Sequence, residues 1–227
     1  LGRPAERGGK ERAQRHAVQQ ARGALILFTD AKIRLNEDAL TNLSRYFEDP
    51  SVGAVSSVDV VENSAEGASG EGFYVRYEMW LRRLESRYDS LVGLSGSCFA
   101  VTRVVAEALR EDIPSDFALL LEARRRGLRG VQGDDVIGYY KSVTSEKAEF
   151  NRKVRTVLRG MATLWVCRKV MDPAVYGTFA WQVASHKLAR WLVPWWLLGT
   201  AIGLTVLASQ SLFYGVLWLV MIGFMWV

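Results

Sequence analysis

Nothing between residues 191 and 227 carries a charge: every Lys, Arg, Asp and Glu of the chain lies at or before Arg190. An uncharged run of that length cannot form the surface of a water-soluble domain. Residues 188–207 suffice to cross roughly 30 Å of hydrocarbon at about 1.5 Å per residue, so a transmembrane helix is predicted there. Residues 211–227 read as a second, partial span. Ahead of them, 1–165 reads as a charged folded domain and 166–187 as an amphipathic, membrane-proximal segment. Leu1 is not an initiator Met, so the chain reads as a fragment truncated at both ends. Lys187 and Arg190 border the first span and no secretory signal is visible. The expected location is therefore the cell membrane, multi-pass, with the charged domain in the cytoplasm.

The net charge of +5 comes from basic residues interleaved with acidic ones, without a nucleic-acid motif. It excludes nucleic acid as the expected partner and fits attraction to anionic headgroups. Cys98 and Cys167 are too few for a disulfide framework and read as ordinary buried thiols.

The charged part alternates between strand and helix patterns. A helix over 11–22 ends at Gly23. Residues 24–28 then form a short apolar run of the kind a buried parallel strand requires. That strand delivers Thr29 and Asp30. Asn36 is placed to cap a helix running to Phe47, which Asp49-Pro50 stops before a strand over 53–60. Strand, helix, strand argues for an open α/β sheet, whose ligands sit beyond the carboxyl ends of the strands, where Asp30 stands.

After a small-residue loop, Phe73, Tyr77, Trp80, Leu81, Leu84 and Tyr88 recur at helical spacing. They read either as the inner stripe of a surface helix or, with Arg76, Arg83 and Arg87 beside them, as a helix at a membrane surface. Residues 95–101 look like a glycine-containing turn entering a strand. Ser115 and Asp116 open a helix that Gly127 ends, another strand covers 131–140, and Asp134 with Asp135 reads as a turn. A helix over 149–164 projects Arg152, Arg155 and Arg159 from one face. His16 and His186 are isolated and suggest no zinc.

Three features carry chemistry: a carboxylate ending a buried strand, a second at a helix start, and an arginine row. In the order Phe28-Thr29-Asp30-Ala31, Gly93-Leu94-Ser95-Gly96-Ser97, Ser115-Asp116-Phe117, Arg152-Lys153-Val154-Arg155, followed by membrane spans, the chain resembles the processive-type, inverting glycosyltransferases of family two. Cellulose synthases, hyaluronan synthases and ceramide glucosyltransferases belong there. The resemblance implies an open nucleotide-sugar-binding sheet of the glycosyltransferase A type followed by transmembrane helices. It implies transfer of a sugar from a nucleotide donor, UDP-linked, to a glycan or lipid acceptor at the cytoplasmic membrane face. In those terms residues 1–165 are the catalytic domain, with its first strands missing, and Asp116 is the catalytic base, where the helix dipole and free N–H groups favour negative charge. A helix-capping role for Asp116 stays open on the residues alone.

The resemblance further makes Asp30 the first member of a D-x-D motif that holds Mg²⁺ or Mn²⁺ against the donor phosphates. Lys32 stands at the second position and cannot ligate a metal. It reads either as a solvated lysine or as an ammonium replacing part of the cation's charge at the diphosphate. Arg152 and Arg155 resemble an arginine motif whose guanidinium groups donate paired bonds to diphosphate oxygens. Thr156 replaces the Trp expected after it. Lys10 resembles a donor-site lysine, and Ser95, Gly96 and Ser97 resemble the turn lining the acceptor site. Lys32, Ser115 and Thr156 also motivate an alternative, a catalytically inactive relative that binds nucleotide sugar or glycan in a regulatory role.

Overall fold

The computed structural model describes residues 8–62, 70–141 and 146–225, and the chain divides into two compact units, Leu1–Val183 and Ala184–Val227. The first unit is built on one mixed sheet. Its strands are β1 (Leu25–Thr29), β2 (Arg34–Leu35), β3 (Val52–Glu62), β4 (Cys98–Thr102) and β5 (Arg129–Lys141), in spatial order β1-β4-β3-β5-β2. β3 and β5 run parallel, whereas β4 is antiparallel to both β1 and β3, and β2 is antiparallel to β5. The buried parallel strand expected at 24–28 is thus corrected: β1 pairs with an antiparallel neighbour, and its Leu27 is exposed. A short apolar run specifies an extended segment; strand direction is decided by the connections around it.

Helices α1 (Gly9–Gln20), α2 (Ala39–Tyr46), α3 (Gly70–Tyr88), α4 (Arg103–Ala106), α5 (Ser115–Arg125) and α6 (Glu146–Val166) accompany the sheet, with α7 (Pro173–Tyr176) and α8 (Thr178–Val183) completing this unit. Alternation along the strands feeds two cores. Ala54, Phe99 and Val101 join Ile26, Phe28 and α5's Leu119 and Leu120 on one face, while Val55 and Ala100 join α2's Ala39 and Leu43 on the other. That is why β4 reads Cys-Phe-Ala-Val without a polar break. Phe28 and Phe99, opposite each other in register, stack at 4.8 Å between ring centroids. Cys98 is buried in this sheet, and burial pushes its thiol up to about 11, as suits an inert structural cysteine.

A Cβ at Gly53 would stand 2.7 Å from the Leu128 Cβ, an atom with no freedom to swing aside. Gly53→Ala is therefore expected to destabilise the first unit by roughly 1–3 kcal/mol through overpacking. A lowered thermal midpoint measures it, and an unchanged midpoint would show that β3 and the Leu128 segment part freely.

Two further expectations are corrected. Asn36 does not cap α2, whose N-cap is Asp38; the Asn36 amide instead donates to the Asp135 carbonyl, and its side-chain oxygen accepts the Ile137 N–H. The aromatic stripe of α3 is not an inner face. Phe73, Tyr77, Trp80, Leu84 and Tyr88 are exposed, while Arg82, Glu85 and Ser86 are turned inward and buried. Their polar atoms bond the segments beneath: Arg82 to Ser56 and Gly93, Glu85 to the Val92 N–H, Ser86 to the Gln132 N–H. Asp134 and Asp135 belong to an irregular stretch of β5, where Tyr46 donates to Asp135 at 2.8 Å.

In the second unit, Ala184–Leu188 forms a π-helical turn that leads into α9 (Ala189–Trp191), α10 (Val193–Ala208) and α11 (Leu212–Met225). No single described helix is long and apolar enough to cross a membrane, and residues 188–207 are divided among the π-helical turn, α9 and α10. Thr178–Trp191 and Val193–Ala208 have that length and composition only together, and they are bent by 62°. Pro194 lies in the first turn of α10, where it cannot supply the N–H a continuous helix needs and its ring crowds the preceding turn. α10 and α11 pack on each other, and Trp218 donates its indole N–H to Thr205 at 2.9 Å.

Candidate active site

Asp30 follows β1, and its backbone N–H donates to the Ser97 carbonyl at 2.8 Å, which fixes the turn before β4 beside the end of β1. The chain then passes Lys32 and enters β2 at Arg34. Helix α5 starts at Ser115 behind Pro114 and presents Asp116 in its first turn, where its Oδ1 accepts the Phe117 N–H at 2.8 Å. Helix α6 carries the arginine row. These segments line one cavity of about 1300 Å³, which lies within the first unit at the carboxyl ends of β1 and β3.

The predicted residues Lys10, Asp30, Lys32, Gly96, Ser97, Asp116, Arg152 and Arg155 all line this cavity, as does Thr156. Ser95, predicted beside them at the acceptor surface, does not: it is buried beneath the turn. Lys10 reaches across from α1 and donates to Asp30 Oδ1 at 2.8 Å, with both side chains about half exposed. Gly96 lies against the second carboxylate. A Cβ there would stand 3.2 Å from Asp116 Oδ2, so the missing side chain leaves that oxygen its room.

The residue that sequence reasoning missed is Asp59, on β3. It lines the same cavity, accepts the Ser95 hydroxyl at 2.5 Å, and lies 3.1 Å from the Ser57 hydroxyl. Burial raises its pKa above the ordinary carboxylate range, against the opposing pull of the Ser95 bond and the Arg82 charge. Around it runs a polar network: Ser95 N–H to Ser56 Oγ at 2.7 Å, Ser97 N–H to Ser95 Oγ at 3.2 Å, and Arg82 to both Ser56 Oγ and the Gly93 carbonyl. The signal in the sequence is Ser56, Ser57 and Asp59 interrupting an otherwise apolar strand. Arg34 and Arg159 also line the cavity, and Arg159 forms an ion pair with Glu11 that ties α6 to α1.

The donor set does not fit a protein-built site for a divalent ion. Asp30 is one carboxylate, already paired with Lys10, and Lys32, a cation, lines the cavity two residues further on. Among the described residues no three Asp, Glu, His or Cys side chains come together as metal ligands. The cavity suits an anion instead: Lys10, Lys32, Arg34, Arg152, Arg155 and Arg159 surround it, against Asp30, Asp59 and Asp116.

No family model matches the chain, and no curated protein matches it. Among solved structures it is similar to the mannosyltransferase PcManGT from Pyrobaculum calidifontis, determined in complex with GDP-Man and Mn²⁺. The TM-score is 0.72 at 21% identity, over 98% of this chain and 61% of that one. The chain therefore shares the fold of that structure, an open, curled α/β sheet with helices packed against it. The chain spans 61% of the length of that neighbour.

Proposed function

We propose that this chain is the catalytic part of an inverting, family-two type glycosyltransferase. It would move a hexosyl group from a nucleotide sugar to a hydroxyl of a glycan or lipid at the cytoplasmic face of the cell membrane. The observation that carries this reading is convergence: the Asp116 carboxylate at the start of α5 opens into the same cavity as the cations of α1 and α6. The bound GDP-Man of the structural neighbour supports a nucleotide sugar as the ligand.

In the reaction, the acceptor oxygen forms a bond to the anomeric carbon as the bond from that carbon to the diphosphate oxygen breaks. The acceptor proton passes to Asp116, and the leaving diphosphate takes the bonding electron pair. Lys10, Lys32, Arg152 and Arg155 stabilise the charge that builds on the diphosphate. Gly96 and Ser97 let the acceptor approach the backbone closely. Attachment to the bilayer rests on α10 and α11, which carry no charge and expose Trp195, Trp196, Leu198, Phe213 and Leu219.

A second reading, a regulatory relative that binds nucleotide sugar without turning it over, is favoured by Lys32 and Thr156 in the cavity wall. One assay separates the two. Membranes containing the full-length protein are given GDP-mannose or UDP-glucose with lipid and glycan acceptors, and release of nucleoside diphosphate is measured. Release, with a product of opposite anomeric configuration to the donor, is the expected result. Donor binding without release would favour the regulatory relative, and absence of both would overturn the glycosyltransferase reading.

A further inference from the structure

We propose that the donor diphosphate is held here without a divalent ion, its charge met by the ammonium groups of Lys10 and Lys32, with Asp30 serving to orient Lys10. This rests on the glycosyltransferase reading above. The geometry is specific. Asp30 Oδ1 accepts a bond from the Lys10 ammonium at 2.8 Å, so the carboxylate that would be a metal's first ligand already has a cation on it. An ammonium carries three N–H donors, and one used on Asp30 leaves two for phosphate oxygens. Both side chains are about half exposed on the cavity wall, so a diphosphate reaches Lys10 without displacing it.

A divalent ion at Asp30 would have to expel the Lys10 ammonium and then sit beside Lys32, another positive charge lining the same cavity. The other carboxylates there stand on other elements. Asp59 is tied to Ser95 and Ser57 beneath the turn, and Asp116 accepts the Phe117 N–H at the start of α5. The cation that fits this arrangement is one the chain supplies itself. In the transfer step the bond from sugar to diphosphate breaks and the electron pair goes to the diphosphate oxygen. Lys10 and Lys32 would meet the resulting charge as fixed hydrogen-bond donors.

The test is calorimetric titration of the full-length protein in detergent with GDP and with UDP, once in excess EDTA and once in millimolar Mn²⁺. For the nucleotide that binds, the two affinities are expected to agree within about twofold, since no metal contributes ligands. Lys10→Ala is expected to weaken binding in EDTA about tenfold or more, the effect of losing a charge-assisted bond, and Lys10→Arg to recover most of it. Binding that falls tenfold or more on removing Mn²⁺ would overturn the proposal while leaving the glycosyltransferase reading in place. So would a Lys10→Ala protein that binds like wild type in EDTA. Failure of both nucleotides to bind in either condition would overturn the glycosyltransferase reading, and this proposal with it.

Discussion

Asp116→Asn is expected to lower kcat by about 10²–10⁴-fold, the contribution typical of a positioned general base. Asn has the shape of Asp and keeps a side-chain oxygen for the Phe117 N–H that Asp116 Oδ1 accepts at 2.8 Å, so α5 should start where it does now. What Asn lacks is the ability to take a proton from the acceptor. The groups assigned to the diphosphate sit on other elements, Lys10 on α1 and Arg152 and Arg155 on α6, so donor KM should change little. A large fall in kcat with donor KM and thermal midpoint preserved is the signature of an interaction made only in the transition state. Initial rates of diphosphate release over a range of donor concentrations measure the split. Turnover at the wild-type rate would remove Asp116 from the mechanism.

Those parts of the site that depend on neighbouring residues alone are legible in the sequence. Asp30 follows an apolar run, Asp116 opens a helix that Gly127 closes with φ +76°, and Arg152, Arg155 and Arg159 repeat at helical spacing. Each needs only a short window of the chain. Every relation across the sheet, by contrast, requires the fold. Lys10 meets Asp30 because α1 turns back beside β1, and Asp59 meets Ser95 because β3 and β4 are neighbours. The same applies to the departures. Asn36 has the chemistry of a cap, but β5 claims both ends of its amide, and a local propensity cannot foresee a partner 101 residues away. On α3, aromatic spacing suggests an inner face, yet the inward residues are Arg82, Glu85 and Ser86, which bond to β3, β5 and the 92–93 segment, partners that no helical spacing reveals. The break between α9 and α10 falls just before Pro194, a local effect that the charge-free composition of 188–207 does not mark.

Arg82→Met should destabilise the first unit by about 3 kcal/mol and also impair turnover. The side chain is 5% exposed, and its guanidinium donates to Ser56 Oγ at 2.7 Å and to the Gly93 carbonyl at 2.8 Å. Methionine fills much of the space but donates nothing. Two buried acceptors then lose a charged donor, at about 1.5–3 kcal/mol for each bond, and the two losses are not fully additive. Asp59 meanwhile loses the positive charge that opposes its desolvation. At about 2–4 °C per kcal/mol for a domain of this size, the thermal midpoint should fall by about 6–12 °C. The consequence reaches the chemistry because Ser56 also accepts the Ser95 N–H, and Ser95 in turn bonds Asp59 and the Ser97 N–H. Loosening that turn moves Gly96, which lies against Asp116 Oδ2, so kcat should fall at temperatures where the variant is still folded. Arg82→Lys keeps the charge without the fork of donors, and should recover part of the stability and less of the rate. A midpoint within a degree or two of wild type in Arg82→Met would show that the buried polar network is not what holds the turn. The two readouts also separate fold from catalysis: a lowered midpoint with wild-type kcat would mean that Asp116 is positioned by α5 alone, without help from the turn.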